Sequence, residues 1–370
     1  MVAILSFILI LYIILLCTLL YGWYSRSNDI GKDSSGSFIS VIIPYRNEEY
    51  NLQGLLNALV SQDFPLNRYE IILVNDHSED LSEQIIDQFV KRHESSNIIM
   101  ARLDDESGKK QALKHGIAIA KGEVIVTTDA DCIVKRTWLS GIDRYYSRDY
   151  VQMVFGPVTF CGESTIFHRL QTIEFASLVG AGAASLSLGM PNMCNGANLS
   201  FRKRAYCEAG GYEDNMSLAS GDDEFLMHKF WTQWPDGVLF NNTKDAVVCT
   251  KPHNTWLDFY QQRKRWASKW KHYKNIRATI LAILVATSNM AILVSMILLV
   301  IDMHKHTSLA ALLVFKFFLE GLFIGSVLKK LSKKMNILLF ILLQFIYPLY
   351  AILFGIAANF GTYNWKGRRH

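Results

Sequence analysis

Apolar residues crowd the two ends of the chain and thin out in the middle. Met1 to Ser25 contains no charged residue, and about 20 apolar residues are enough for a helix to cross a bilayer, so the pattern opens on a span. The segment has neither the basic leader nor the small-residue cleavage site of a signal peptide and reads as a retained anchor. Three further stretches of near-spanning length follow, Ala278 to Ile301, Leu309 to Leu328 and Met335 to Ala358. One such stretch could be a buried core helix, but four together describe an integral membrane protein.

Between the apolar ends the period of the pattern changes. Phe38 to Ile43 is a β-rich run stopped by Pro44, and Leu52, Leu55, Leu56, Leu59 and Val60 then recur at helical spacing. Tyr69 to Val74 predicts a second strand ending in Asn75 and Asp76, and Leu81, Ile85, Ile86 and Phe89 mark one face of a helix. Ile98 to Ala101 predicts a third strand, Lys110 to Ala120 a helix closed by Gly122, and Val124 to Thr127 a fourth strand. Alternating strands and helices predict an α/β fold with a parallel, doubly wound sheet. The layout is an anchor over 1–25, a domain over 37–252, an amphipathic interfacial helix over 253–277 and membrane helices over 278–358. Two segments stay open: Thr165 to Ser185 turns from an amphipathic helix to a run of small residues, and Lys316 and Glu320 stand four apart inside the third span. The latter is either a mutual ion pair or the lining of a translocation path.

Composition adds orientation. The chain of 370 residues carries a formal charge of +5, but its basic residues gather beside the spans. Arg263, Lys264, Arg265, Lys269, Lys271, Lys274 and Arg277 precede the second span, and Lys329, Lys330, Lys333 and Lys334 precede the last. The positive-inside rule puts both groups, and the middle domain, on the cytoplasmic side. The tail bearing Lys366, Arg368 and Arg369 then falls outside, against the rule, so the last segment is expected to depart from a simple crossing. Charge abutting a span forms no groove, which argues against a nucleic-acid partner. The six cysteines show no CxxC pair and no zinc spacing, as expected of reduced thiols in a cytoplasmic domain.

The candidate chemistry lies at the predicted strand ends. Asp129 and Asp131 follow the fourth strand, where an open α/β sheet binds its ligand. Two hard oxygen ligands suit Mg2+ or Mn2+ shared with a phosphorylated substrate better than calcium or zinc. Alone, Asp-x-Asp more often marks a turn or a cap. Arg46 and Glu48 after the first strand and Asp76 after the second raise the odds, because such tips converge on one crevice.

With these pieces in order, the chain resembles the inverting family 2 glycosyltransferases, in the membrane-embedded branch of cellulose, chitin and hyaluronan synthases. The resemblance is carried by Ile43 to Glu49, Val74 to Ser78, Gly108 to Leu113, Asp129 to Asp131, Asn195 to Asn198, Gly221 to Asp223 and Gln262 to Trp266. It implies a GT-A fold, a nucleotide-diphosphate sugar donor such as a UDP-sugar, a divalent metal (Mg2+ or Mn2+), and a glycan or glycolipid acceptor at a membrane such as the bacterial inner membrane. Residue by residue, it implies Asp223, or its neighbour Asp222, as the base, and Asp129 and Asp131 at the metal. Pro44, Arg46, Glu48, Asp76, Lys110, Asp129, Gln262 and Arg265 would face the nucleotide sugar, with Trp266, Asn195 and Gly196 toward the acceptor. Gln262, Arg265 and Trp266 share one helical face by spacing. The same stretch also describes an interfacial helix on an anionic leaflet, and Ser220 to Asp223 also describes a helix cap. A protein that binds nucleotide sugars for transport or scaffolding, without turnover, is the alternative from another class.

Overall fold

The computed structural model describes residues 1–25, 31, 33–93, 96–213, 221–268, 276–357, 364, 365, 368 and 369. Ser220, Lys269, Lys271, Lys274 and Lys366 lie outside the described residues. The chain divides into a helical unit, Met1–Arg26, Glu163–Leu188 and Pro252–His370, and a sheet unit, Ser27–Gly162 and Gly189–Lys251. Residues 163–188 thus group with the helices, although they fall inside the span 37–252 that the sequence suggests as one domain.

The chain opens with α1 (Val2–Tyr24) of the helical unit. The sheet unit then supplies β1 (Ile39–Tyr45), α2 (Leu52–Val60), β2 (Tyr69–Asn75), α3 (Ser82–Arg92), β3 (Ile98–Arg102), α4 (Lys109–Ile119), β4 (Val124–Thr127), α5 (Trp138–Asp143), β5 (Met153–Phe155) and β6 (Val158–Phe160). After α6 (Ile166–Ser187) of the helical unit, the sheet unit resumes with β7 (Leu199–Arg202), α7 (Lys203–Glu208), α8 (Asp222–Gln233), β8 (Val238–Phe240) and β9 (Val248–Thr250). The chain continues in the helical unit with α9 (Trp256–Ser268), α10 (Ile276–Ile301), α11 (Thr307–Lys330) and α12 (Ile337–Ala357).

Among the described residues the main sheet has the order β3-β2-β1-β4-β7-β5-β8. β1 to β4 are parallel, as the alternation of elements predicts. Every residue of β1, β2 and β4 is buried, the signature of strands covered on both faces, where each aliphatic side chain contributes about 1.5–3 kcal/mol. The sheet is mixed rather than parallel throughout, because β7 runs antiparallel to β4 and to β5. That reversal matters for the site: Leu199, at the start of β7, lies opposite Thr127 at the end of β4. The loop before β7 therefore reaches the same sheet end as the loops after β1, β2 and β4. Pro44 is tolerated in a central strand because β4 stops pairing at Ile42, so the missing N–H on that side removes no ladder bond.

A second pair of strands, β6 and β9, runs parallel, and Cys161 beside them is disulfide-bonded to Cys249, with Cα atoms 5.6 Å apart. This corrects the expectation of six reduced thiols. The partners stand 88 residues apart, and only the strand pairing brings them together, so their spacing carries no signal.

In the helical unit, among the described residues, α1, α11, α12 and residues Thr279–Ile301 of α10 are long and apolar enough to cross a membrane. Lys316 and Glu320 form the expected ion pair at 2.9 Å, and two other helices join it. Tyr12 donates to Glu320 Oε1 (3.0 Å) and Lys316 donates to Gln344 Oε1 (2.8 Å), so the charges inside the apolar bundle have partners on α1 and α12. α6 is one continuous helix capped by Thr165, whose hydroxyl accepts from the His168 N–H (3.1 Å). Its small residues serve close packing: a Cβ on Gly180 would stand 2.5 Å from Val327 Cγ2 of α11.

Candidate active site

Four loops of the sheet unit meet at the carboxyl ends of β1, β2 and β4. The first two are laced together. Arg46 donates through Nη1 to the Asp76 carbonyl (3.1 Å), the Asn47 N–H donates to Ser78 Oγ (3.1 Å), and the Glu79 N–H donates to Asn47 Oδ1 (2.8 Å). Glu48 is buried, its N–H bound to Ser82 Oγ (2.8 Å) and its carboxylate accepting from Asn51 (2.6 Å). Asp76 is also buried, and its Oδ1 accepts the Gly108 N–H (3.0 Å), the residue that caps α4. The second loop thereby fixes where α4 begins.

Lys109 and Lys110 open that helix. Lys109 reaches Asp129 (2.6 Å) and Asp222 (3.6 Å). Burial works against the charge, but Asp129 and then Asp222 more than offset it and push the Lys109 pKa up. Lys110, the residue singled out from sequence, is buried with its ammonium 5.9 Å from the Phe225 ring centroid. Adjacent residues of a helix point about 100° apart, so the phase of α4 sets the direction of each lysine.

The fourth loop, before β7, brings Asn195 and Gly196. Thr127, the last residue of β4, donates its hydroxyl to the Gly196 carbonyl (2.6 Å), and the Gly196 N–H donates to Asp223 Oδ2 (2.9 Å). Asn195 caps the turn through Ala197 N–H (3.0 Å). Asp223 also accepts from the Glu224 N–H at Oδ1 (2.8 Å), so two backbone amides hold its carboxylate in the first turn of α8. Gly221 precedes that turn with φ +86°, a conformation that a side chain disfavours, and the helix starts at Asp222. The cap and the candidate catalytic pair are the same device. Asp222 turns to Lys109 while Asp223 is held from the opposite loop.

Asp131 has its Oδ2 bound by the Thr250 hydroxyl (3.0 Å) and its Oδ1 near the Cys132 thiol (3.8 Å). Among the described residues no group of three or more histidines, cysteines and carboxylates is gathered closely enough to hold a metal. Two carboxylates after a strand, next to a lysine drawn in by negative charge, fit an ion that completes its shell with substrate phosphate.

Gln262, Arg265 and Trp266 lie on α9, in the helical unit, and are described there. Arg263 is the residue most tightly held: Glu174 of α6 grips it through two carboxylate oxygens, and Gln262 accepts from its Nη1. Tyr350 of α12 donates to the same Glu174 (3.0 Å). Trp266 stacks on Phe175 with ring centroids 5.7 Å apart, and the Arg263 guanidinium lies 4.4 Å from its ring. Arg265 is half-buried in the last turn. The spacing that made Gln262, Arg265 and Trp266 one face holds in α9, but Gln262 and Trp266 also serve to seat Arg263.

Comparison with known proteins identifies residues 40–208. The model of the family described as Glycosyl transferase family 2 matches residues 40–208. These residues belong to that family. The poly-beta-1,6-N-acetyl-D-glucosamine synthase of Staphylococcus epidermidis is 31% identical over 231 residues, covering 62% of this chain and 53% of that one. The beta-monoglucosyldiacylglycerol synthase of Trichormus variabilis is 24% identical over 247 residues, covering 66% of this chain and 52% of that one. The chain thus spans about half the length of these curated relatives. In fold, it is similar to a mannosyltransferase from Pyrobaculum calidifontis, solved in complex with GDP-Man and Mn2+. That likeness has TM-score 0.61 and 16% identity and covers 97% of this chain and 98% of that one. The family 2 domain and the GT-A fold that the motifs imply are both present.

Proposed function

We propose that the chain is a membrane-anchored, inverting glycosyltransferase that moves a hexose from a nucleotide-diphosphate sugar, a UDP-sugar, to a polysaccharide or lipid-linked glycan, with Mg2+ or Mn2+ at Asp129 and Asp131. The sheet unit faces the cytoplasm, on the side of the basic loops. The observation that carries this reading is the division of labour among four charged groups at one sheet end. Lys109 lies between Asp129 and Asp222, and Asp223 accepts the Gly196 amide N–H.

Displacement at a sugar carbon needs a base for the acceptor hydroxyl and positive charge for the departing diphosphate. In this reading Asp223 takes the proton, its carboxylate aimed by two backbone amides. Asp222 instead holds Lys109, whose ammonium meets the diphosphate oxygens as the bond to the sugar breaks. A bound divalent ion would neutralise charge on the leaving phosphate. Asp76 and Arg46 form the wall toward the nucleoside, built by their mutual lacing. The named relatives, one a polysaccharide synthase and one a glycolipid synthase, support both acceptor classes.

The experiment is a donor panel: full-length protein in membranes is incubated with nucleotide sugars and Mn2+, and nucleoside diphosphate release and product size are followed. The reading expects release coupled to transfer with one donor. Absence of release with every donor, or release of inorganic phosphate or a nucleoside monophosphate without an acceptor, would overturn it.

A further inference from the structure

Asp131 is held by a part of the chain with no role in the site described above. Thr250 Oγ1 donates to Asp131 Oδ2 at 3.0 Å, from the last position of β9. β9 is fastened on both sides. On one side Cys249 exchanges backbone bonds with Ile133, two residues beyond Asp131: the Ile133 N–H donates to the Cys249 carbonyl at 2.7 Å and the Cys249 N–H to the Ile133 carbonyl at 3.0 Å. On the other side the Thr250 carbonyl accepts the Cys161 N–H at 2.9 Å, and the Cys161–Cys249 disulfide closes the same junction covalently. The hydroxyl, the carboxylate it touches and the disulfide are therefore joined through a few residues of backbone.

We propose that Thr250 is a positioning residue for Asp131, and that the Cys161–Cys249 disulfide holds β9 so that the Thr250 hydroxyl stays on that carboxylate. The inference rests on Asp131 being the metal-side carboxylate of the proposed transferase. A hydroxyl on one carboxylate oxygen fixes rotation about the last side-chain bond and directs the remaining lone pairs to one place. For a metal site with only two protein ligands, that pre-orientation bears directly on affinity. Loss of such an outer partner weakens metal binding by about 10–100-fold in known sites. A carboxylate that lacks this hydroxyl loses affinity without any loss of fold.

The test is Mn2+ binding to the full-length protein in detergent, read from the free-ion electron paramagnetic resonance signal with UDP or, in parallel, GDP present. Thr250→Val is expected to raise the Mn2+ Kd by about 10–100-fold with an unchanged thermal midpoint, and Thr250→Ser to restore it, because the hydroxyl returns. Cys161→Ser with Cys249→Ser is expected to weaken Mn2+ binding in the same direction, by less. Asp131→Asn separates the two layers of argument. If Asp131→Asn abolishes binding while Thr250→Val binds like the wild type, this inference falls and the proposed site stands. If the double serine variant alone binds like the wild type, the disulfide has no part in it. If Asp131→Asn itself binds Mn2+ normally, or the wild type binds none with either nucleotide, the metal assignment falls and this inference with it.

Discussion

Two pairs of adjacent like residues stand at the candidate site. At Lys109 and Lys110, and again at Asp222 and Asp223, like residues sit side by side in the first turn of a helix. In both places the helix start sets their phase, through the Asp76 bond to Gly108 and through the positive φ of Gly221. Sequence could place both pairs at the site but could not assign members, because the phase of a helix depends on contacts with a loop far away in the chain. The lysine pair gives a direct check. A charged hydrogen bond contributes about 1.5–3 kcal/mol, so Lys109→Ala is expected to weaken nucleoside diphosphate affinity by about 10–100-fold. Isothermal titration decides the matter, and unchanged affinity in this variant would contradict the role proposed for Lys109.

At the scale of elements, the alternating units of β1 to β4 were legible because buried parallel strands are short apolar runs separated by amphipathic helices. β7 was not legible, since nothing in Leu199–Arg202 says that it runs against its neighbours. Yet that direction delivers Gly196 to Asp223, so the placement of the proposed base depends on the strand the pattern missed. In the helical unit the element that sequence could not rank is the Glu174, Arg263 and Tyr350 cluster joining α6, α9 and α12. Arg263 is 3% exposed and Glu174 is 6% exposed in their side chains, so removing one partner strands a buried charge, a loss of about 3–5 kcal/mol. Arg263→Ala is therefore expected to lower the thermal midpoint in detergent strongly. Replacing both partners, Glu174→Leu with Arg263→Met, is expected to recover most of it. A single variant that melts like the wild type would show that the pair holds nothing together.

For the whole molecule, the apolar ends and the basic flanks announced a membrane protein at once, since length and charge are properties of sequence alone. The disulfide was invisible for the opposite reason: it depends on two strands meeting in space, and it stands against the reduced thiols expected of a cytoplasmic domain. The proposed orientation can be tested at Cys207, which is exposed on the sheet unit. With Cys17, Cys132 and Cys194 changed to serine, a membrane-impermeant maleimide is expected to label inside-out vesicles and not right-side-out ones. Labelling only from the outer side would reverse the topology. The central claim, that Asp223 takes the proton while Asp129, Asp131 and Lys109 hold the leaving group, meets its sharpest test in Asp223→Asn. General-base catalysis contributes about 10²–10⁴-fold, so transfer by this variant should fall by that factor with donor affinity unchanged. Transfer at the wild-type rate, or loss of donor binding in step with transfer, would contradict it.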